Sequence, residues 1–469
     1  GVVTGAADGY ARMAGRPAAT LLHLGPGLGN GLANLHNARK ARTPVLNVVG
    51  EHATYHRDFE TPLASDTAAI AGTVSHWVRS AEHADAVSTL AAQGIAEARS
   101  EPGRIATLIL PADAAWSETA APIAAAPAPQ PAPAPDPAKL ARAVTALRSG
   151  APTLLFMAGA ATRGEALRAA GRLAAHCGCE LMTPISVTRI ERGAGRPAVR
   201  RIPYPPGPAR QALAGYRNVI VIGAPPPVSF FGYPDEPSVL TAPASELIDF
   251  GIEVDAPGTL EALVEATGAA ASAPSVRSAA PVALPEDGDA VLTARLANQV
   301  VAALMPEQAI VCDEAVTSLE GFLEFSAGGP QHDLLRLTGG AIGIGIPLAT
   351  GAAVACPERR VIGLQADGSA MYTVQALWTQ ARERLNVITV IYANRAYRIL
   401  RGELRGVGAG EPGPSARRML DLDDPVIDWV SLARAMGVEA ARAETVAGFV
   451  QAMRNALAAR GPFLIEARI

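Results

Sequence analysis

The segment VIGLQADGSAMYTVQALWTQARERLNVITVIYAN (361–394) constrains the fold more than any other part of the chain. Its apolar runs VIGLQ and NVITVIYA are typical of buried strands, and TVQALWTQARER between them has apolar residues at helical spacing. A strand–helix–strand unit of this kind pairs its strands in parallel, so both carboxyl ends lie at the same edge of a sheet. Asp367 and Asn394, which follow the two strands, are therefore predicted to lie side by side.

The same alternation of strand-like and helical stretches runs through the whole chain. Short apolar runs closed by Gly or Pro, such as AATLLHL, PVLNVVG, PTLLFMAG and NVIVIGA, are typical of strands in parallel sheets. A chain of 469 residues also exceeds what one ordinary core can hold. We therefore predict the α/β class, with three domains built on parallel sheets.

Two stretches rich in Pro, Ala and other small residues divide the chain. Repeated prolines favour extended backbone and prevent a helix, which makes these stretches candidate linkers. The predicted organisation is a first domain at 1–118, a linker at 119–136, a central domain at 137–267, a linker at 268–287 and a last domain at 288–469.

Composition narrows the classes of partner. The net charge is −4 and no basic block stands out, so we expect no nucleic-acid partner. Four scattered cysteines suit a reducing compartment, which predicts a cytoplasmic protein. No uninterrupted apolar run reaches about 18 residues, so we expect no membrane-spanning helix.

The residue types at the predicted sheet edge suit a metal–phosphate site. Carboxylate and amide oxygens, as on Asp367 and Asn394, are ligands that Mg²⁺ accepts together with phosphate oxygens. Gly368 lets a phosphate approach the backbone, Ser369 can donate to it, and the N-terminus of a following helix favours its charge. The alternative is an ordinary loop, since DGS is a common turn sequence. The Asn at the end of the next strand favours the metal site.

This pattern, ADGS…YAN, resembles the GDG…N motif of thiamine diphosphate enzymes. The resemblance implies that Asp367 and Asn394 are the side-chain ligands of Mg²⁺ and that Ala396 supplies a backbone carbonyl. Ala366 and Ala393 depart from the motif, which usually has Gly and Asn there. Neither of these two positions is a metal ligand in the family, so the departures leave the prediction intact.

The resemblance extends over essentially the whole chain. GVVTGAADGYARMAGRPAATLLHLGPGLGN resembles the pyrimidine-binding domain of the acetolactate synthase and benzoylformate decarboxylase group, and the last block resembles its diphosphate-binding domain. In TGGAIGIGIP, Gly340 matches a backbone carbonyl that contacts the pyrimidine amino group, and Ile342 matches the residue that props the bent cofactor. The alternative is a Gly-rich turn with a core Ile.

The function implied by the resemblance is a thiamine diphosphate- and Mg²⁺-dependent decarboxylation of a 2-oxo acid, with release of an aldehyde or carboligation. Because the family binds the cofactor between two subunits, it also implies a homodimer or homotetramer. Two alternatives stay open: a non-catalytic protein that kept the fold, and an NAD-linked oxidoreductase. The glycine spacing gives no GxGxxG after a strand, which disfavours the oxidoreductase.

The family's catalytic Glu lies ten residues before the Tyr of GYAR. Tyr10 places that position one residue before Gly1, and the chain opens inside a helical pattern without an initiator Met. We therefore expect an N-terminally truncated sequence that lacks this Glu. Asp8 and Glu51 are the nearest acids, but Asp8 falls inside the helical pattern and Glu51 follows a strand where relatives often have Gln.

Three further residues match active-site positions of benzoylformate decarboxylases. His23 ends a strand before a Gly-rich turn and matches the active-site His, a candidate proton carrier. Ile399 and Glu403 match positions that face substrate. An acid there disfavours a simple apolar pocket and predicts a partner such as Arg401 or Arg405. The alternative for this segment is a surface helix with Glu403 in water.

Overall fold

The computed structural model describes residues 1–469 and contains three sheets. The first sheet is wholly parallel, with strand order β1-β2-β4-β3. Its strands are β1 (Ala18–His23), β2 (Val45–Glu51), β3 (Trp77–Ser80) and β4 (Ile105–Pro111). Its helices are α1 (Val2–Ala14), α2 (Leu24–Gly29), α3 (Leu32–Ala41), α4 (Thr67–Gly72), α5 (Ala84–Arg99) and α6 (Ala112–Trp116).

The second sheet is also parallel, with strand order β10-β9-β5-β6-β8. Its strands are β5 (Thr153–Met157), β6 (Glu180–Thr183), β8 (Arg200–Arg201), β9 (Asn218–Ile222) and β10 (Glu246–Asp249). Its helices are α7 (Pro137–Arg148), α8 (Gly164–Cys177), α9 (Pro206–Leu213) and α10 (Ala256–Thr267).

The third sheet has seven strands in the order β15-β16-β14-β13-β11-β12-β7. The strands are β7 (Ile190–Arg192), β11 (Ala309–Glu314), β12 (His332–Arg336), β13 (Val361–Ala366), β14 (Val387–Ala393), β15 (Glu439–Ala443) and β16 (Phe463–Arg468). The helices are α11 (Ala294–Leu304), α12 (Phe322–Phe325), α13 (Gly345–Ala355), α14 (Asp367–Ala370), α15 (Ala376–Arg382), α16 (Arg398–Gly406), α17 (Pro414–Leu420), α18 (Trp429–Ala435) and α19 (Val446–Ala458).

The predicted α/β class with parallel sheets is confirmed, with one strand of opposite direction. Strand β7 comes from the central part of the sequence but joins the third sheet, antiparallel to β12. One apolar core also runs through the second and third sheets, from Leu155 and Leu167 to Val311 and Leu364. The domain boundaries therefore stay a prediction, although residues 117–136 contain neither helix nor strand.

The third sheet forms because its central strands are apolar on both faces. All seven residues of β14 are buried, as expected for a parallel strand covered by helices on both sides. Its register with β13 sets Ala366 opposite Tyr392, so the two strands end at the same edge. None of the helices combines the length and apolar character that crossing a bilayer requires.

Candidate functional site

Asp367 and Asn394 meet at the carboxyl edge of the third sheet, as predicted from the strand–helix–strand pattern. Asp367 follows β13 directly and Asn394 follows β14. The two loops are tied together, because Asp367 Oδ2 accepts a hydrogen bond of 2.7 Å from the backbone N–H of Arg395. The chain therefore returns to the same sheet edge at Asn394, 27 positions after Asp367.

Asp367 is held as a buried acceptor. Asp367 is only 2% exposed, and its Oδ1 accepts a hydrogen bond of 2.8 Å from the Gly368 N–H. Burial raises the pKa of this carboxyl to about 6, since desolvation outweighs the hydrogen bonds that favour its charge. Each carboxylate oxygen has a second lone pair that these two bonds leave open. A divalent cation there would favour the ionised form.

A backbone carbonyl completes a set of three oxygens. Asn394 Oδ1 accepts from the Ala396 N–H at 3.0 Å, which bends the chain so that Ala396 follows the amide closely. The carbonyl oxygens of Arg395 and Tyr397 accept bonds from Leu422 and Leu400, whereas that of Ala396 accepts none. A carboxylate, an amide oxygen and an open carbonyl form the donor set that fits Mg²⁺ with phosphate and water as further ligands.

The residues after Asp367 form a tighter turn than predicted. The helix that begins there, α14, has four residues, and the expected crossover helix is reduced to α15. A Cβ on Gly368 would lie 2.4 Å from the Tyr397 ring, so only glycine fits under that tyrosine. The Ser369 hydroxyl donates to the Ala366 carbonyl at 3.2 Å, and this bond must open before Ser369 can donate to a phosphate.

The turn that carries Gly340 and Ile342 is clamped by helix α3. The Asn37 side chain accepts from the Gly339 and Ala341 N–H groups at 3.1 and 3.2 Å and donates to the Ala341 carbonyl at 2.7 Å. The Gly340 carbonyl between these groups accepts no hydrogen bond. Ile342 is half-buried. An open carbonyl beside an apolar side chain fits the amino group and ring that the resemblance implies.

Asn37 was missed by the sequence reasoning, and so was Glu314. Glu314 ends β11 and is 2% exposed. It accepts from the N–H groups of Gly343, Ile344 and Gly345 at 2.7, 3.3 and 2.7 Å, and from the Gln365 amide at 2.9 Å. Burial raises the pKa of this carboxyl, although the hydrogen bonds from these donors act to lower it. Its place at a strand end is the signal that identified Asp367 and would have identified Glu314 too.

His23 lies at the carboxyl edge of the first sheet, apart from these groups. It ends β1, and its side chain is exposed and forms no hydrogen bond. Asp8 is a structural residue, since it is buried against Arg12 in an ion pair of 2.5 Å and accepts from Thr43. Glu51 accepts from the His52 N–H and the Thr67 hydroxyl. Both acids therefore accept hydrogen bonds from groups of the first sheet, its helices and its loops.

The predicted partners of Glu403 are wrong. Arg401 pairs with Asp421, and Arg405 pairs with Glu411 at 3.3 Å. Glu403 instead accepts hydrogen bonds from the hydroxyls of two tyrosines, Tyr204 at 2.8 Å and Tyr233 at 2.9 Å. Glu403 is half-buried on a helix that has no buried residue, so the alternative of a surface helix stays open. Sequence patterns within α16 cannot reveal partners that lie 170 and 199 residues away.

Comparison with known protein families gives two matches. The description "Thiamine pyrophosphate enzyme, N-terminal TPP binding domain" matches residues 1–72. The description "Thiamine pyrophosphate enzyme, C-terminal TPP binding domain" matches residues 319–467, which include the Gly340 turn and the Asp367–Ala396 edge.

Two relatives are similar over nearly the whole chain. IlvX of Mycobacterium tuberculosis, provisionally assigned as an acetolactate synthase large subunit, is 50% identical over 467 residues, covering 99% of this chain and 89% of the relative. Benzoylformate decarboxylase of Pseudomonas aeruginosa is 30% identical over 505 residues, covering 99% and 90%.

Solved structures agree in fold. A thiamine diphosphate-dependent 4-hydroxybenzoylformate decarboxylase of Rhodococcus jostii superposes with a TM-score of 0.82 at 25% identity, covering 100% of this chain and 90% of the other. The benzoylformate decarboxylase of Polynucleobacter necessarius gives 0.84 at 21% identity with the same coverage. The chain belongs to the thiamine pyrophosphate enzymes, in the group that contains acetolactate synthase large subunits and benzoylformate decarboxylases.

Proposed function

We propose that this protein binds thiamine diphosphate through Mg²⁺ and decarboxylates a 2-oxo acid, releasing an aldehyde or joining the remaining fragment to a second carbonyl compound. The observation that carries the proposal is the convergence of the Asp367 carboxylate, the Asn394 amide and the open Ala396 carbonyl at one sheet edge. Relatives named as decarboxylases and acetolactate synthases support the substrate class.

The side chains divide into three tasks in this proposal. Asp367, Asn394 and the Ala396 carbonyl hold the metal, while Gly368 and Ser369 face the diphosphate. The Gly340 carbonyl would accept a hydrogen bond from the pyrimidine amino group, and Ile342 would support the bound cofactor. When bound, the cofactor supplies an electron sink for the carbon left after CO₂ departs. The chain's own contribution is geometry, a dry environment and proton movement.

His23 is the proposed proton carrier. An imidazole can both give and take a proton near neutral pH, and its exposed position at the end of β1 leaves it free to face a ligand. The first sheet carries His23 and the third sheet carries the metal ligands. We propose that a homodimer or homotetramer brings the first sheet of one subunit to the third sheet of another.

Cofactor binding is tested by thermal unfolding of the protein. Thiamine diphosphate with Mg²⁺ at 100 times Kd should stabilise the folded state by about 2.7 kcal/mol. Asp367→Ala and Asn394→Ala should lose this stabilisation. Asn386→Ala is the matched control. Asn386 precedes β14, at the end of that strand opposite Asn394, and its side chain donates a hydrogen bond to the Arg359 carbonyl. Stabilisation by NAD instead would favour the oxidoreductase alternative.

The reaction is tested by measuring CO₂ release from pyruvate, benzoylformate and branched 2-oxo acids. Release that depends on cofactor, Mg²⁺ and Asp367 supports the proposal. Aldehyde products indicate a decarboxylase, and hydroxyketone products indicate carboligation. A protein that is stabilised by the cofactor but releases no CO₂ from any of these acids would favour the non-catalytic alternative.

A further inference from the structure

The Glu403 carboxylate has an unusual set of neighbours. Each of its oxygens accepts a hydrogen bond from one tyrosine hydroxyl, Tyr204 at 2.8 Å and Tyr233 at 2.9 Å, and it forms no ion pair with any basic side chain. Two hydroxyl groups therefore hold this half-buried carboxyl group in place, with no basic side chain beside it. Each oxygen also keeps a lone pair that can accept another hydrogen bond.

These three residues, which we call the Glu403 cluster, are connected to both parts of the proposed cofactor site. Helix α16 begins two residues after Ala396 and carries Glu403 in its second turn. On the other side, the Tyr204 ring packs against Phe230 at 5.5 Å between centroids, and Phe230 lies 3.0 Å from where a Cβ on Gly340 would be. The cluster is therefore connected to the Ala396 loop through α16 and to the Gly340 turn through Phe230.

The cluster presents a hydrogen-bond acceptor, the Glu403 carboxylate, beside an apolar surface. Burial and the neighbouring Glu403 raise the pKa of both tyrosines, which keeps them neutral donors to the carboxylate. Ile399, one helical turn before Glu403, adds an apolar surface on the same face of α16. This combination favours a ligand that is apolar along its length and ends in a hydroxyl or ammonium group. It repels a ligand that ends in a carboxylate.

We propose that Glu403, oriented by Tyr204 and Tyr233, selects 2-oxo acids whose side chain ends in a hydrogen-bond donor. The proposal rests on the 2-oxo acid function proposed above and specifies its substrate class. It assigns Tyr204 and Tyr233 as positioning residues, which act through the carboxylate.

Matched substrate pairs test this selection. In each pair a hydroxyl replaces a methyl group: 3-hydroxypyruvate against 2-oxobutyrate, and 4-hydroxybenzoylformate against 4-methylbenzoylformate. The wild type should prefer the hydroxyl member of at least one pair by about tenfold in kcat/KM, as a hydrogen bond to a charged acceptor provides. Glu403→Leu should abolish the preference, and Glu403→Gln should reduce it. Activity on 2-oxoglutarate should rise in Glu403→Gln because the repulsion is removed.

A purely structural role predicts a different result. If Glu403 only ties α16 to the two tyrosines, Glu403→Gln would change both members of each pair by the same factor, and the proposal would be overturned. The double variant Tyr204→Phe/Tyr233→Phe keeps the carboxylate but removes the two bonds that orient it, so it should reduce the preference for the hydroxyl member more than it changes activity on the methyl member. Glu411→Gln is the matched control, since this exposed carboxylate pairs with Arg405 after the same helix and should change nothing.

A binding measurement separates this proposal from the proposed function. Calorimetric titration of the holoenzyme with 4-hydroxymandelate and 4-methylmandelate measures recognition without turnover. One outcome is that no 2-oxo acid is consumed but 4-hydroxymandelate binds about tenfold more tightly than 4-methylmandelate, in a manner that depends on Glu403. The proposed reaction would then be wrong, and the proposed selection by Glu403 would be supported. If 2-oxo acids are consumed but neither kcat/KM nor binding discriminates within the pairs, the recognition is wrong and the reaction stands.

Discussion

The carboxyl edges of the first and third sheets use their polar residues in opposite ways. At the third sheet, Asp367 and Glu314 are buried and each accepts hydrogen bonds from backbone N–H groups of neighbouring loops. At the first sheet, His23 ends a strand with its side chain exposed and unbonded. The acceptors of the third edge are thus fixed by hydrogen bonds within the chain, whereas the first edge carries one side chain that nothing in the chain holds.

The largest expected effect is at the third edge. Glu314→Ala should lower the free energy of unfolding by roughly 4 kcal/mol, because three buried N–H groups lose their acceptor. It should also weaken cofactor binding, since the released turn leads directly from Ile342. Chemical denaturation measures the first effect and calorimetric titration with thiamine diphosphate the second.

Glu314→Gln provides the graded control for this change. Its amide oxygen can still accept from part of the turn, so the loss should be about half as large. If Glu314→Ala lowers the free energy of unfolding by less than about 0.5 kcal/mol, this carboxylate does not hold the edge of the third sheet. That result would contradict the difference described between the two sheets.

A smaller effect is expected at the contact between helix α3, which packs near the first sheet, and the turn that precedes α13 near the third sheet. Asn37 belongs to α3 of the first region, is fully buried and makes three hydrogen bonds to the Gly339–Ala341 backbone. Asn37→Ala should cost about 2 kcal/mol of stability and raise the Kd for thiamine diphosphate about tenfold. Asn30→Ala is the control, because Asn30 is exposed and its side chain makes no hydrogen bond. Equal effects of the two changes would contradict the clamp.

The smallest effect on stability is expected at His23. His23→Ala should change the free energy of unfolding by less than about 0.5 kcal/mol, as for other exposed side chains. If His23 carries a proton, kcat should nevertheless fall by about 10² to 10⁴ and the pH profile should change shape. An unchanged kcat and pH profile would leave His23 as a surface residue and remove catalysis from the first edge.

The sequence predicted what depends on local pattern. Periodicity identified β13 and β14, and parallel pairing then placed Asp367 beside Asn394. Strand β12 was missed because His332, Asp333 and Arg336 make it appear polar, although all five of its residues are buried. The Asp333 carboxylate is paired with two residues that are distant in sequence, Arg189 and Arg359. No local pattern contains that information.

The residues of the candidate site likewise fall into those that the sequence predicted and those that it did not. The residues next to strand ends were predicted, since topology alone brings them together. The clamp by Asn37 and the tyrosine partners of Glu403 come from elements that are distant in sequence. The ion pairs expected for Glu403 were inferred from helix neighbours, but Arg401 and Arg405 find other acids. Charge spacing on a helix gives possible pairs and does not decide among competing acceptors.

The most direct test of the central claim is a crystal structure of the protein grown with thiamine diphosphate and Mn²⁺, which replaces Mg²⁺ and is located by its anomalous scattering. We predict one strong anomalous peak at the carboxyl edge of the third sheet. It should lie about 2.1 to 2.2 Å from an Asp367 carboxylate oxygen, the Asn394 amide oxygen and the Ala396 carbonyl oxygen, near the distances for Mg²⁺. A peak elsewhere, or diphosphate density without a metal touching these three oxygens, would contradict the account.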